Sequence, residues 1–342
     1  MLTTIVAFLF VLSLLILAHE IGHFVAARRV GIRVVEFGIG WPPRLVSRKI
    51  GETIYSLNLL PLGGFVRMFG EFGGQEPGSF MSKRPLERSV VILAGVAMNF
   101  LIAPVLFTTA FMLGEPVYTD RILVQEVVAE SPAAAAGLMA DDRILTINDV
   151  PITTMAQVRE QIGNVEEGTP IQLTVLRESQ EKSMSIVPAY NPQIERLAIG
   201  VVLLPEHIIK RYWPWEAAWR GILRTGEMFG LIGMGIASLI RGSEEADLLG
   251  PVGIASLTGQ VARSGLSQLL TFTGFLSINL AIINLFPFPG LDGARFIFTV
   301  VEMVRGRPIN PKREAAINFA GIVILLTLTV LITYRDVVRL VG

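Results

Sequence analysis

The chain has 342 residues, 51 % of them hydrophobic and 17 % charged, with a formal net charge of zero and a mean hydropathy of +0.57. Such a composition describes a multi-span membrane protein with a modest soluble part, and the missing net positive charge leaves nucleic acid binding without electrostatic support. There is no cysteine, which excludes disulfides, thiol catalysis and cysteine zinc sites, so a metal must be held by carboxylates and by the three histidines, His19, His23 and His207.

The first apolar segment, residues 1–29, has no Lys or Arg ahead of it and ends on Arg28 and Arg29. That flank predicts a retained anchor with its N-terminus outside, and not a cleaved secretory signal. Near its inner end stands His19-Glu20-Ile21-Gly22-His23. Imidazoles four residues apart lie roughly 40° apart around a helix and can reach one ion. Zinc is the expected ion, and Glu20 is the natural general base for a zinc-activated water. An ionisable cluster inside an apolar span is costly, so its presence points to function.

Residues 30–88 read as a β region on the cytoplasmic side. Short alternating pieces at 33–37 and 53–57 predict strands, separated by Gly38, Gly40, Pro42, Pro43 and Gly51. The apolar run 59–66, broken by Pro61, Gly63 and Gly64, fits either a re-entrant dip into the membrane edge or a cytoplasmic hairpin. A second transmembrane helix is expected over 89–114, with Asn99 as its notable polar residue and Gly95, Ala97 and Ala103 small enough for close helix packing.

Composition then shifts to that of a soluble α/β module over 115–204: strand pieces at 122–128, a short helix at 131–138, a strand-turn-strand at 141–152, a helix at 155–162 and a strand at 171–176. Residues 205–265 are expected to form an extracytoplasmic amphipathic or interfacial region, with Trp213, Trp215 and Trp219 at the membrane surface and no net crossing. A third span with its motif covers 266–294, a cytoplasmic loop 295–314 and a fourth span 315–336. Residues 28–88 hold ten Lys and Arg against five Asp and Glu, whereas 115–264 hold twelve against nineteen, so the basic loop is the one assigned inside.

Two histidines do not make a catalytic zinc site; a third protein ligand and an open position are needed. His207 lies in a polar stretch and reads as a surface residue. Asp292, in Asn284-Leu285-Phe286-Pro287-Phe288-Pro289-Gly290-Leu291-Asp292-Gly293, is the single carboxylate between Asp247 and Glu302, and the two prolines break the helix just ahead of it. By itself, without the HExxH motif, it reads as a helix-end aspartate in a Gly/Pro turn. Its partnership with the histidines requires both to lie at one depth.

The segment SPAAAAGLMADDRILTINDVPI, residues 131–152, resembles a PDZ domain of the bacterial protease-associated type, and 197–201 resembles the strand that lines the peptide groove, with Ile199 and Gly200 at its head. Together with this module, the HExxH and Leu-Asp-Gly motifs and Gly250-Pro251-Val252-Gly253-Ile254 make the chain similar to the site-2 protease family, peptidase family M50, and within it to bacterial members that act in sigma-factor regulation. The resemblance implies a multi-span α-helical membrane protein of four core transmembrane helices, with a membrane-associated β region and an inserted α/β PDZ domain. It further implies an intramembrane zinc metalloprotease of a bacterial inner membrane, with its active site toward the cytoplasm and the PDZ domain extracytoplasmic. Implied substrates are single-pass membrane proteins, either anti-sigma factors already trimmed outside or remnant signal peptides. Residue by residue, His19, His23 and Asp292 carry over as ligands of one zinc ion, Glu20 as the base, and Asn279 and Asn284 as substrate-binding asparagines, with trimmed substrate ends or peptide C-termini meeting Ile199 and Gly200. One PDZ domain stands where some members have two, and Ala294 replaces a common glycine. A non-catalytic membrane PDZ receptor with a structural metal is the alternative; a transporter is disfavoured by the small number of spans and the lack of repeats.

Overall fold

The computed structural model describes residues 2–71, 73–192, 194–242, 249–307 and 309–341. In chain order the elements are α1 (Leu2–Val30), β1 (Val34–Ile50), β2 (Thr53–Met68), α2 (Pro85–Leu113), β3 (Glu115–Val127), α3 (Pro132–Ala135), β4 (Arg143–Ile147), β5 (Val150–Pro151), α4 (Met155–Gly163), β6 (Ile171–Arg177), β7 (Gln180–Ile186), β8 (Ala189–Asn191), β9 (Arg196–Ala198) and β10 (Val201–Lys210). Five helices close the chain: α5 (Pro214–Ile240), α6 (Pro251–Ser264), α7 (Leu266–Leu285), α8 (Asp292–Arg305) and α9 (Pro311–Val341). They divide into a unit made of Met1–Glu115 with Arg211–Gly342 and a second unit, Pro116–Lys210.

In the first unit four helices among the described residues are long and apolar enough to cross a membrane: Leu2–Val30, Pro85–Leu113, Leu266–Leu285 and Lys312–Arg339. With no hydrophobic force between helices in lipid, their association depends on close packing of small residues. The α1/α2 crossing shows this at Gly22, where an added Cβ would stand 2.2 Å from the Ala94 carbonyl oxygen. Helix α7 joins the pair through Gly274, set against Phe107, and through the buried Ser277 hydroxyl, which donates to the Asn99 carbonyl at 2.8 Å.

The predicted β pieces are parts of two much longer strands. Phe37 of β1 lies opposite both Val66 and Tyr55 of β2, so the first part of β1 is flanked on both sides by β2, while Ile50 meets Thr53 at the turn. Gly and Pro, read as breaks between strands, are accommodated as register shifts within them. Phe24 of α1 contacts both Phe37 and Tyr55 edge-on, which fixes the hairpin to the first span. Glu36 is buried at 2 % exposure and is neutralised by Arg44 at 2.5 Å and Arg67 at 2.8 Å.

The structure differs from the sequence expectation at two places. Residues 205–210 are not part of an interfacial region but belong to β10 of the inserted unit. Helix α5, within the region 205–265 expected at the interface, runs antiparallel alongside α2: Tyr212 stacks edge-on near Phe111, Gly221 approaches Pro104 and Thr108, and Phe229 meets Phe100. Ala217 of α5 is fully buried, whereas Ile222, Leu223, Leu231 and Met234 stay exposed, and Arg224 is paired with Glu115 at 2.9 Å. Residues 295–314, expected as a loop, are largely helical; α7 stops at Leu285, and Asp292 opens the separate helix α8.

The Gly250-Pro251-Val252-Gly253 sequence begins α6, and both glycine N–H groups donate to the buried Asp336 carboxylate of α9, at 3.2 and 2.7 Å. A carboxylate is stabilised at a helix N-terminus by the unpaired amides and the helix dipole. The glycines are needed because a Cβ at position 250 would stand 2.7 Å from that carboxylate.

The second unit is a sheet of order β10-β3-β4-β6-β7, with β5 paired to β4, and it carries helices α3 and α4. Ile171, Leu173 and Val175 alternate inward along β6 and pack with Ile122, Ile144 and Ile147. This strand and helix arrangement is that of a PDZ domain, with β10 as an edge strand. Asp142, 1 % exposed, accepts two bonds from Arg177, at 2.7 and 2.6 Å, and one from the Met139 N–H. Burial alone would lift the Asp142 carboxyl, but Arg177 and that N–H outweigh it and hold it below the usual carboxylate range. A carboxyl lowered on folding stabilises the unit above its unfolded pKa, near about 4, and loses that contribution as pH falls through the folded value. Amide exchange of β4 and β6 in the whole protein is therefore expected to accelerate as pH drops below about 4, after correction for intrinsic rates, and in Arg177→Met to do so at higher pH.

Candidate metal centre

Helix α1 is uninterrupted through its C-terminal end, so His19 and His23 project from nearly one face, one turn apart. Both are buried at 9 % exposure or less, against a single stripe of α2 in which Val91, Gly95 and Asn99 succeed one another every four residues. His23 Nδ1–H donates to the Val91 carbonyl at 2.8 Å. That bond fixes the neutral tautomer and leaves Nε2 with its lone pair toward the cavity. Asn99, fully buried, stands with its amide 3.5 Å from His19 Nδ1, and its Oδ1 has no hydrogen-bond partner. Exchanging the amide's O and N positions lets Oδ1 accept from His19 Nδ1–H and gives His19 the same tautomer as His23.

Asp292 is brought to them by the break in the third span. Helix α7 ends at Leu285, residues 286–291 turn through Pro287, Pro289 and Gly290, and α8 restarts on Asp292. Gly293 allows the restart to sit against the end of α7, since a Cβ there would lie 2.3 Å from the carbonyl oxygens of Leu285 and Phe286. Asp292 Oδ2 lies 3.0 Å from His19 Nε2 and 3.2 Å from His23 Nε2, and the two Nε2 atoms are 3.1 Å apart. With both imidazoles presenting lone pairs, Asp292 Oδ2 receives no hydrogen from either, and it is a buried oxygen without a hydrogen-bond partner. Three lone-pair atoms facing one another repel unless a cation sits among them. Ligands at about 2.0–2.1 Å from a tetrahedral zinc lie roughly 3.3 Å apart, so the triangle has the dimensions of a zinc site.

Among the described residues this is the one group of three or more His, Asp or Glu side chains close enough to hold a metal. The three line a cavity of about 280 Å³ with Glu20, Asn284 and Arg295 and with Phe65, Val66 and Met68 of β2. Gly64 of β2 lies directly over Glu20, where a Cβ would be 3.2 Å from its Cγ. Asn284 therefore stands at the metal cavity, whereas the Asn279 amide is turned back to its own helix, donating to the Phe275 carbonyl at 3.2 Å. Ile199 and Gly200 line a separate cavity of about 270 Å³ in the inserted unit, together with α4 residues such as Met155 and Val158. His207 is exposed and beside Tyr118, far in role from the metal centre.

The family model "Peptidase family M50" matches residues 7–328. This chain belongs to that family. It is 30 % identical to the zinc metalloprotease RasP of Geobacillus kaustophilus, over 98 % of this chain and 98 % of the relative. It is 28 % identical to the regulator of sigma-W protease RasP of Bacillus subtilis, over 98 % and 99 %. A solved PDZ domain of an SdrC-like protein from Listeria monocytogenes, 21 % identical, covers 26 % of the chain with a TM-score of 0.24, so the PDZ fold of the inserted unit rests on its own topology. The M50 membership makes the four-span unit that of a membrane metallopeptidase.

Two residues beside the histidines escaped their full reading in the sequence. Asn99 was visible as a polar residue in a span, but its partner lies 80 residues away. Gly95 looked like an ordinary small packing residue, yet an added Cβ would stand 2.4 Å from His23 Nε2 and 2.8 Å from His19 Cε1. Gly95→Ala is accordingly expected to push both imidazoles out of line and reduce bound zinc at least about tenfold. Metal analysis of the purified variant, with circular dichroism to verify retained helix, checks this.

Proposed function

We propose that His19, His23 and Asp292 hold one zinc ion and that Glu20 is the general base of an intramembrane zinc metalloprotease. The observation carrying this reading is the closed triangle of three ligand atoms beside a fourth, non-ligating carboxylate, in a cavity between membrane-crossing helices. Zinc, when bound there, supplies Lewis acidity that brings a water's pKa toward about 7 and polarises a peptide carbonyl. Glu20 takes the proton from the attacking water and delivers it to the leaving amine nitrogen. The Val91 carbonyl and Asn99 keep the imidazoles neutral and oriented throughout. Asn284 offers an amide to the unwound substrate backbone, whose freed polar groups have no water to bond in the bilayer. A group of three ligands, not four, speaks against the alternative of a receptor with a structural metal, since structural zinc sites are closed.

Substrates are single-pass membrane proteins, anti-sigma-factor-like proteins or remnant signal peptides, in a bacterial cell membrane. Charge and span parity assign the loop bearing 30–88 to the cytoplasm and the loop between the second and third spans to the outside. The inserted unit receives trimmed ends at Ile199 and Gly200, just ahead of the edge strand β10, where the cavity is also lined by α4.

Glu20→Gln is expected to retain zinc and lose cleavage of a membrane-spanning reporter by at least about a thousandfold. Asp292→Ala is expected to lose both. Zinc retention with normal cleavage in Glu20→Gln would remove Glu20 from the role. Replacing residues 116–210 by a short flexible linker is expected to allow cleavage of untrimmed substrates, read as the ratio of long to trimmed substrate turnover.

A further inference from the structure

Asp292 abuts the end of α7 through Gly293 but does not continue that helix. Helix α7 ends at Leu285, and the intervening turn is tied by two short local bonds, from the Phe288 N–H to the Phe286 carbonyl and from the Leu291 N–H to the Phe288 carbonyl, and by one bond to α9, from the Gly290 N–H to Asn318 Oδ1 at 3.2 Å. The position of Asp292 therefore depends on what fixes α8. Two Arg–Glu pairs do so. Arg295, one turn beyond Asp292, donates to Glu71 at 2.6 Å; Glu302, two turns further on the same side, accepts from Arg88 of α2 at 2.5 Å. Both guanidinium groups lie over the buried Phe80 ring, at 5.8 and 5.9 Å.

The first pair has the shorter lever. Glu71 follows three residues after β2, whose residues 65, 66 and 68 line the metal cavity and whose Gly64 covers Glu20. Arg295 lines the same cavity as Asp292. The pair thus closes a mechanical loop from Glu20 through β2 to α8 and back to the metal ligands. We infer that the Glu71–Arg295 ion pair is a positioning device that sets Asp292 at ligand distance from His19 and His23, so that the β region and the metal helix act as one body. The inference rests on Asp292 being the third ligand. Side-chain exposures of 13 % for Glu71 and 27 % for Arg295 make the pair sheltered enough to be strong, and partners that orient a metal ligand are typically worth about 10- to 100-fold in metal affinity.

The test uses the full chain in detergent, stripped of metal. Zinc affinity is measured by competition with a chromophoric chelator, alongside kcat and KM on a membrane-spanning reporter and thermal unfolding without metal. Glu71→Gln, Arg295→Gln, the exchanged pair Glu71→Arg with Arg295→Glu, and Asp292→Ala are compared. Each single change at the pair is expected to weaken zinc about 10- to 100-fold and to lower kcat with little change in KM, and the exchanged pair to recover to within about threefold of the unaltered protein. Should Arg295→Gln fail to fold, Glu71→Gln decides, because its amide oxygen keeps the shape and the acceptor. Zinc affinity unchanged in Glu71→Gln, while Asp292→Ala weakens it, overturns this inference and leaves the ligand set standing. Unchanged affinity in Asp292→Ala overturns both.

Discussion

The crossing of the first two membrane helices is the constraint on which the site depends. Gly22 and Gly95 bring the backbones so close that a methyl group on either would collide, in one case with a carbonyl and in the other with the histidines themselves. Only at that separation can a main-chain carbonyl of one helix reach a ring nitrogen of the other. The energy of the crossing comes from contact, since lipid offers no hydrophobic gain for bringing helices together. Burying polar side chains in this setting is costly unless each one is paired, and Val91 and Asn99 supply partners for the two histidines.

The second part of the site is assembled by interrupting a helix. A continuous third span would carry its carboxylate past the histidines on a fixed spiral. The proline-rich turn instead lets a new helix begin with Asp292 as its first residue, where the unpaired amides also favour an anion. A helix begun afresh needs its own anchorage, and the charged contacts along α8 provide it at two points.

What was legible in the sequence was what local periodicity carries. His19 and His23 announce themselves because four residues are close to one turn, and the spans because apolar runs of that length have few other uses. Asp292 could be singled out because it stands alone in a long stretch without carboxylates, although only its family resemblance gave it a role. Contacts between distant segments left no such trace. Glu71 and Arg295 are 224 residues apart, and nothing in either neighbourhood marks the other. Arg224 of α5 likewise gives no sign of its partner in the sequence, since Glu115 lies more than a hundred residues earlier. The β strands were read too short because glycine and proline were taken as ends, whereas a bulged hairpin absorbs them.

The two histidines of the candidate metal centre are held by partners of different kinds. His19 leans on a side chain, and one nucleotide change at codon 99 can take that support away. His23 leans on the main-chain oxygen of residue 91, which every amino acid supplies, so substitution there can alter the bond only by moving the helix. A single side-chain substitution can therefore unseat one of the two imidazoles directly, while the other is shielded by the chemistry of the backbone.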